Sequence, residues 1–168
     1  MKPYLGTITP LSEEQEEYRQ KLRSVFIEGK AWCIVVSGSY GNGKTYIAKA
    51  ALNCVTEYGA HYTTQPIVQA KLRNGEKDYY TYLCEVSNLV IDEMSDRPTD
   101  WTEFVKTNIE NILIERHAHN RRTAIIGNID AERFAAMFDA RVRDRLKEGV
   151  SMIMNGESLR RAYEDERS

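Results

Sequence analysis

Hydrophobic residues along the chain fall into short dense runs, separated by longer stretches in which they recur every three or four positions. The runs at 31–37 (AWCIVVS), 88–94 (NLVIDEM), 122–127 (RTAIIG) and 150–154 (VSMIM) are short and apolar, and they predict strands buried on both faces. A fifth, shorter strand is expected at 60–64 (AHYTT), just after Gly59. The intervening segments have helical spacing. The first starts at Ser12, carries Glu13, Glu14 and Glu16 in its first turn, and is expected to run to about residue 29. The second, 44–57, gathers Ile47, Ala50, Ala51, Cys54 and Val55 on one face. Helices are also expected at 66–73, stopped by Asn74-Gly75, and at 77–86, with Tyr79, Tyr80 and Tyr82 on a face read as packing. The last three are 101–119, with Phe104, Val105, Ile109, Ile112 and Leu113 inward, then 131–137 and 140–147. Residues 1–10, with two prolines, are expected to be extended. Strands alternating with helices predict an α/β fold on a parallel sheet of five strands.

The length, 168 residues, suits one domain: an N-terminal segment and helix (1–30), a core (31–161) and a polar tail (162–168). Lys and Arg total 23 against 25 Asp and Glu, so any nucleic-acid contact must come from a local patch rather than the whole surface. Cys33, Cys54 and Cys84 stand singly in apolar surroundings and read as buried thiols in a reducing compartment. No apolar run approaches the ~20 residues of a membrane span, and no signal peptide is visible, so a cytoplasmic protein without membrane association is expected. His117 and His119, two apart at a helix end, suit the helix dipole better than a metal.

The chemistry concentrates where the first strand meets the second helix. Gly38-Ser39-Tyr40-Gly41-Asn42-Gly43-Lys44-Thr45 fits GxxxxGK[ST] in the order strand, glycine loop, helix. Such a loop turns successive backbone N–H groups inward as an anion nest at a helix N-terminus. The reading assigns residues 38–46, Tyr46 included, to nucleotide phosphate binding. Lys44 would lie on the β- and γ-phosphates and Thr45 would ligate Mg²⁺.

Hydrolysis at such a loop also needs a metal carboxylate, a means of activating water and positive charge for the transition state. Asp92 and Glu93 end an apolar strand, where a parallel sheet places its ligands, and supply the metal carboxylate and the base. Asn128 ends the strand 122–127, where it could orient water or simply begin a turn before Asp130. Arg141 and Arg145 share a helix face and Arg143 does not. That face suits an arginine finger, yet the residues by themselves favour, by a little, a solvated basic helix beside Asp139, Asp144 and Glu148. Arg160, after the last strand, could reach the γ-phosphate or lie on the surface.

Taken together, GSYGNGKT, LVIDEM, the strand ending in GNID, ARVRDRL and GESLR resemble the ATPase core of the bacterial helicase-loader family of DnaC type, with the IstB transposition helpers as relatives. The resemblance runs from about residue 12 to 161. It implies a three-layer P-loop NTPase of the AAA+ (ASCE) kind without a full C-terminal lid. ATP and Mg²⁺ are the cofactors it implies. It also implies Lys44 and Thr45 on phosphate and metal, Asp92 on metal, Glu93 as base, Asn128 as first sensor and Arg160 as second. Arg145 becomes a finger acting between subunits, with Arg141 a possible partner, so the chain should form an ATP- and DNA-dependent homo-oligomer. The chain departs from the family pattern in the short stretch before the first strand, where loaders grip the helicase. It departs again in Asp92-Glu93, where the family often has two aspartates.

The reading that follows is a replication ATPase that loads or remodels a replicative helicase on single-stranded DNA, and the short chain suits a phage version. The DNA contact would come from the basic surplus of 139–161 or from Lys71, Arg73 and Lys77, a region that faces single-stranded DNA in loaders and initiators. An IstB-like helper with a transposase partner is the alternative. A small-molecule kinase would use the same loop, but Asp92-Glu93 and Asn128 suit water activation better. An adaptor with little turnover fits poorly with intact Lys44, Asp92 and Glu93.

Overall fold

A computed structural model describes residues 2–158. Five strands form one parallel sheet: β1 (Cys33–Gly38), β2 (Ala60–Thr64), β3 (Asn88–Met94), β4 (Arg122–Gly127) and β5 (Val150–Met154), in the order β2-β3-β4-β1-β5. Among the described residues seven α-helices accompany them, α1 (Glu13–Phe26) ahead of the first strand and α2 (Lys44–Asn53), α3 (Gln65–Arg73), α4 (Lys77–Glu85), α5 (Glu103–Ala118), α6 (Ala131–Ala136) and α7 (Ala140–Leu146) between strands.

The strands alternate their side chains between two cores. Ile34, Val36, Ala124, Ile126, Met152 and Met154 pack with Tyr18, Leu22 and Phe26 of α1 and with Ile47, Ala50 and Ala51 of α2. On the opposite face Leu89, Ile91 and Ile125 pack with Leu83, Ile109, Ile112, Leu113, Phe134 and Phe138. Period-two strands therefore sandwich one sheet between two helical layers, and the continuous apolar runs reflect burial on both sides.

Element ends are set by local capping. Ser12 accepts from the Gln15 amide and starts α1, which ends at Phe26, earlier than expected. Thr102 caps α5 by accepting from the Val105 amide. Trp101 therefore stays outside the helix, and its indole N–H donates to the Met137 carbonyl. The helix expected over 44–57 ends at Asn53 and tightens into a 3-10 turn, Thr56–Tyr58, before Gly59 turns the chain at φ 82°. A second 3-10 turn, Leu5–Thr7, interrupts the stretch expected to be extended and buries Leu5.

Arg116 is fully buried on α5. Its guanidinium donates to the carbonyls of Leu83, Val86, Ser87 and Arg122 and to the Thr123 hydroxyl. It thereby ties the end of α4 to the start of β4. Burial pulls its pKa down to about 9, which leaves it charged at neutral pH.

Candidate active site

The sheet order places β4 between β1 and β3. The C-terminal ends of these three strands carry the glycine loop, Asn128 and Asp92-Glu93, which the topology brings to one edge.

The loop is fastened to its neighbours by backbone. The Gly38 amide donates to the Ile129 carbonyl at 3.0 Å and the Ser39 amide to the Met154 carbonyl at 2.9 Å. The Asn42 side-chain amide reaches that same Met154 oxygen. Gly38 has φ 128°, and a Cβ there would stand 2.1 Å from the Met154 oxygen. Gly38→Ala is therefore expected to lower the melting temperature and abolish nucleotide binding, checked by thermal melts and fluorescent-nucleotide titration; unchanged binding would show that the loop tolerates another path. From below, α1 supports the loop: Gln15 donates its side-chain amide to the Asn42 carbonyl at 3.0 Å, and the Tyr18 hydroxyl donates to the Lys44 carbonyl at 3.2 Å.

Lys44 is buried, with its ammonium donating to the Ser39 carbonyl and, at 3.0 Å, to the Asn42 side-chain oxygen. Burial pulls its pKa down to about 8, opposed by the charges of Asp92 and Glu14, so it remains mainly charged at neutral pH.

Asp92 is 2% exposed and is gripped by three donors. Thr45 donates its hydroxyl to Oδ2 at 2.5 Å, Tyr62 its hydroxyl to Oδ2 at 3.0 Å, and the Glu93 amide donates to Oδ1 at 2.7 Å. Burial and then the Asp92 charge push the Tyr62 phenol well above its ordinary pKa, so it stays a donor.

The register of β3 on β4 slips between Ile91, opposite Ile125, and Met94, opposite Gly127. At this bulge Glu93 adopts φ 56°, a left-handed conformation that costs a residue with a side chain roughly 1–2 kcal/mol. Asp92 turns inward, and Glu93 at the bulge is exposed to the cavity.

That cavity, about 550 Å³, is lined by Tyr40, Thr45, Asp92, Glu93 and Asn128 among others. Gln65 anchors its far wall, donating to the Ser95 and Asp100 carbonyls and accepting from the Ser95 amide. Arg133 also lines it and pairs with Asp96 at 2.6 Å. Neither Gln65 nor Arg133 was expected from the sequence, because nothing local marks a residue that closes a cavity from another element.

Arg141 and Arg145 stand elsewhere. Arg141 pairs with Asp139 at the start of α7, and the Arg145 guanidinium donates to the Arg141 carbonyl. The Arg145 carbonyl accepts from the Trp32 indole, and that of Leu146 lies 4.0 Å from the Cys33 thiol. The end of α7 thus meets the start of β1, and the phosphate loop follows its other end, roughly 17 Å along the strand. Arg145 does not reach the glycine loop of its own chain. Arg160 lies outside the described residues. Tyr46 is exposed on α2 and lines a different, shallower groove with Lys49 and Tyr62. No His/Cys/Asp/Glu cluster suited to a metal occurs among the described residues. A hydroxyl and a carboxylate beside a phosphate loop, as in Thr45 and Asp92, are nonetheless a donor set that suits Mg²⁺ held jointly with phosphate.

No family model matches the chain, and no curated protein matches it. Solved structures do. The DnaC helicase loader superposes with a TM-score of 0.75 over 90% of this chain and 96% of its own, at 18% identity. DnaI gives 0.76 over 94% and 90%, also at 18% identity. The replication initiator DnaA, bound to AMPPCP and single-stranded DNA, gives 0.76 over 98% of this chain at 16% identity; the chain spans 53% of that structure's length. The fold is that of a three-layer P-loop NTPase. More particularly, it is the fold shared by the DnaC helicase loader and DnaI structures. No described helix is long and apolar enough to cross a membrane.

Proposed function

We propose that the chain is a Mg²⁺-dependent ATPase of DnaC type that remodels or loads a replicative helicase on single-stranded DNA. The observation that carries this reading is the meeting of Thr45 and Asp92 at 2.5 Å in a cavity that Glu93 and Asn128 also line. The glycine loop and Lys44 hold the triphosphate, and Thr45 and Asp92 hold the ion. Bound Mg²⁺ supplies charge to neutralise the transferring phosphoryl group. Glu93, exposed to the cavity, takes a proton from water, and Asn128, at the tip of the intervening strand, orients that water.

The likeness to DnaC, DnaI and a DNA-bound DnaA supports a replication role. For the DNA contact, α3 and α4 offer Lys71, Arg73 and Lys77 beside Tyr79 and Tyr82, with the Lys71 ammonium 4.7 Å from the Tyr79 ring centroid. Cations beside aromatic faces suit a single strand. The remoteness of Arg145 from its own loop supports a site completed by a second copy.

Steady-state hydrolysis measured across protein concentration, with and without single-stranded DNA, tests this. Specific activity is expected to rise with both and to vanish in Lys44→Ala. Activity that is flat with concentration and indifferent to DNA would instead point to a kinase or a monomeric switch. Pull-down with a helicase or a transposase then separates a loader from an IstB-like helper.

A further inference from the structure

The Asp92 carboxylate is held from two sides by hydroxyls that come from different elements, Thr45 on α2 and Tyr62 on β2. The second has no counterpart in the phosphate-loop motif. Tyr62 pairs in register with Val90, so it sits diagonally across the ladder from Asp92, on the same face of the sheet. That separation is about 7–8 Å between backbones, within reach of a long aromatic side chain. The Tyr62 ring forms one wall of the shallow groove on the outer edge of α2, together with Tyr46, Lys49 and Asn53. The Lys49 ammonium stands 4.1 Å from the ring centroid. A phenylalanine would fill this place equally well by packing. The phenol departs from that in one respect: its hydroxyl turns away from solvent, into a carboxylate that is almost wholly buried.

We infer that Tyr62 is a positioning residue for the metal site: its hydroxyl fixes the orientation of the Asp92 carboxylate that receives Mg²⁺. The inference rests on the reading of Asp92 as the metal carboxylate. Thr45 and the Glu93 amide hold one oxygen each, and both belong to the segments that would shift when nucleotide and metal bind. Tyr62 adds a second donor to Oδ2 from the neighbouring strand β2, which narrows the freedom the carboxylate retains. Outer-sphere partners of this kind set metal affinity by roughly 10–100-fold.

The test is binding of a fluorescent N-methylanthraniloyl ADP, titrated with Mg²⁺, beside its affinity in EDTA. In Tyr62→Phe the Mg²⁺ midpoint is expected to rise about tenfold while the metal-free affinity and the melting temperature stay near wild type. Lys49→Met, which removes the cation over the ring and keeps the hydroxyl, is expected to retain the wild-type midpoint. A Tyr62→Phe midpoint within about twofold of wild type overturns the inference, as does an equal shift in Lys49→Met, which would assign the effect to surface charge. Asp92→Asn separates the two levels. If it shifts the midpoint and Tyr62→Phe does not, the metal site stands and the positioning role falls. If Asp92→Asn shifts nothing, the assignment of the carboxylate falls with it.

Discussion

Mixed in equal amounts, Glu93→Gln and Arg145→Ala chains are expected to hydrolyse ATP where neither does alone. The two residues occupy opposite ends of the β1 layer: Glu93 opens into the cavity beside the phosphate loop, and Arg145 closes α7 against the start of β1. If Arg145 serves a site, that site belongs to another copy. If Glu93 is the base, removing it is expected to cost roughly 10²–10⁴-fold in turnover. Removing an arginine finger is expected to cost about 10³-fold or more. In a random mixture about a quarter of head-to-tail junctions pair an intact Glu93 with an intact Arg145, so about a quarter of wild-type activity should return. The measurement is steady-state hydrolysis of each variant and of the mixture at a concentration that saturates assembly. A mixture as silent as its components, with assembly shown by sedimentation, would show that Arg145 does not act across subunits, and an Arg145→Ala chain as active as wild type would remove it from the reaction.

The second large effect concerns stability. Arg116→Ala is expected to lower stability by about 4 kcal/mol and the melting temperature by roughly 10 °C. The guanidinium serves four carbonyls and one hydroxyl, and truncation takes this donor from the buried Leu83 and Val86 carbonyls, while Ser87 keeps the Arg122 amide and Thr123 still donates to the Arg121 carbonyl. Each such group costs about 1–3 kcal/mol. The whole sum is not reached, because the cavity admits water and because the guanidinium itself resists burial, as its lowered pKa shows. Arg116→Met separates bonding from packing, since it keeps most of the stem and none of the donors. If Arg116→Met melts within about 3 °C of wild type, the carbonyls need no donor and the account is wrong.

The strands and helices were legible because each carries its own period and its own punctuation. Asn88–Met94 reads as a strand from its residues alone, and Ser12 announces α1. The phosphate loop was legible for the same reason: its chemistry lies in consecutive residues. The place of Asn128 was legible only conditionally, since it lies near Asp92 only if β4 runs beside β3, as it does. Tyr62 could not be read at all. Its partner lies thirty residues away, and only the register of β2 on β3 brings them together. Arg116 left a trace that can be recognised in hindsight. Ile109, Ile112, Leu113 and Arg116 follow helical spacing, so the arginine occupies the apolar stripe of α5, where a charge needs a built-in set of acceptors. The ends of helices were the least legible, because Thr102, Asn53 and Phe26 mark boundaries set by capping and tertiary contacts as much as by composition.

The Met154 carbonyl ends β5 and accepts from both the Ser39 amide and the Asn42 side chain. Two residues on, the Gly156 carbonyl accepts from the Ser39 hydroxyl, and the Asn155 and Gly156 amides are taken up by the Glu14 carboxylate. The chain leaving the sheet is thus moored on one side to the phosphate loop and on the other to α1. A loop that reshapes itself must either cast off these lines or drag the departing chain along. Residues 154–156 are therefore geared to the loop's own conformation, and a movement of either is passed directly to the other and to α1.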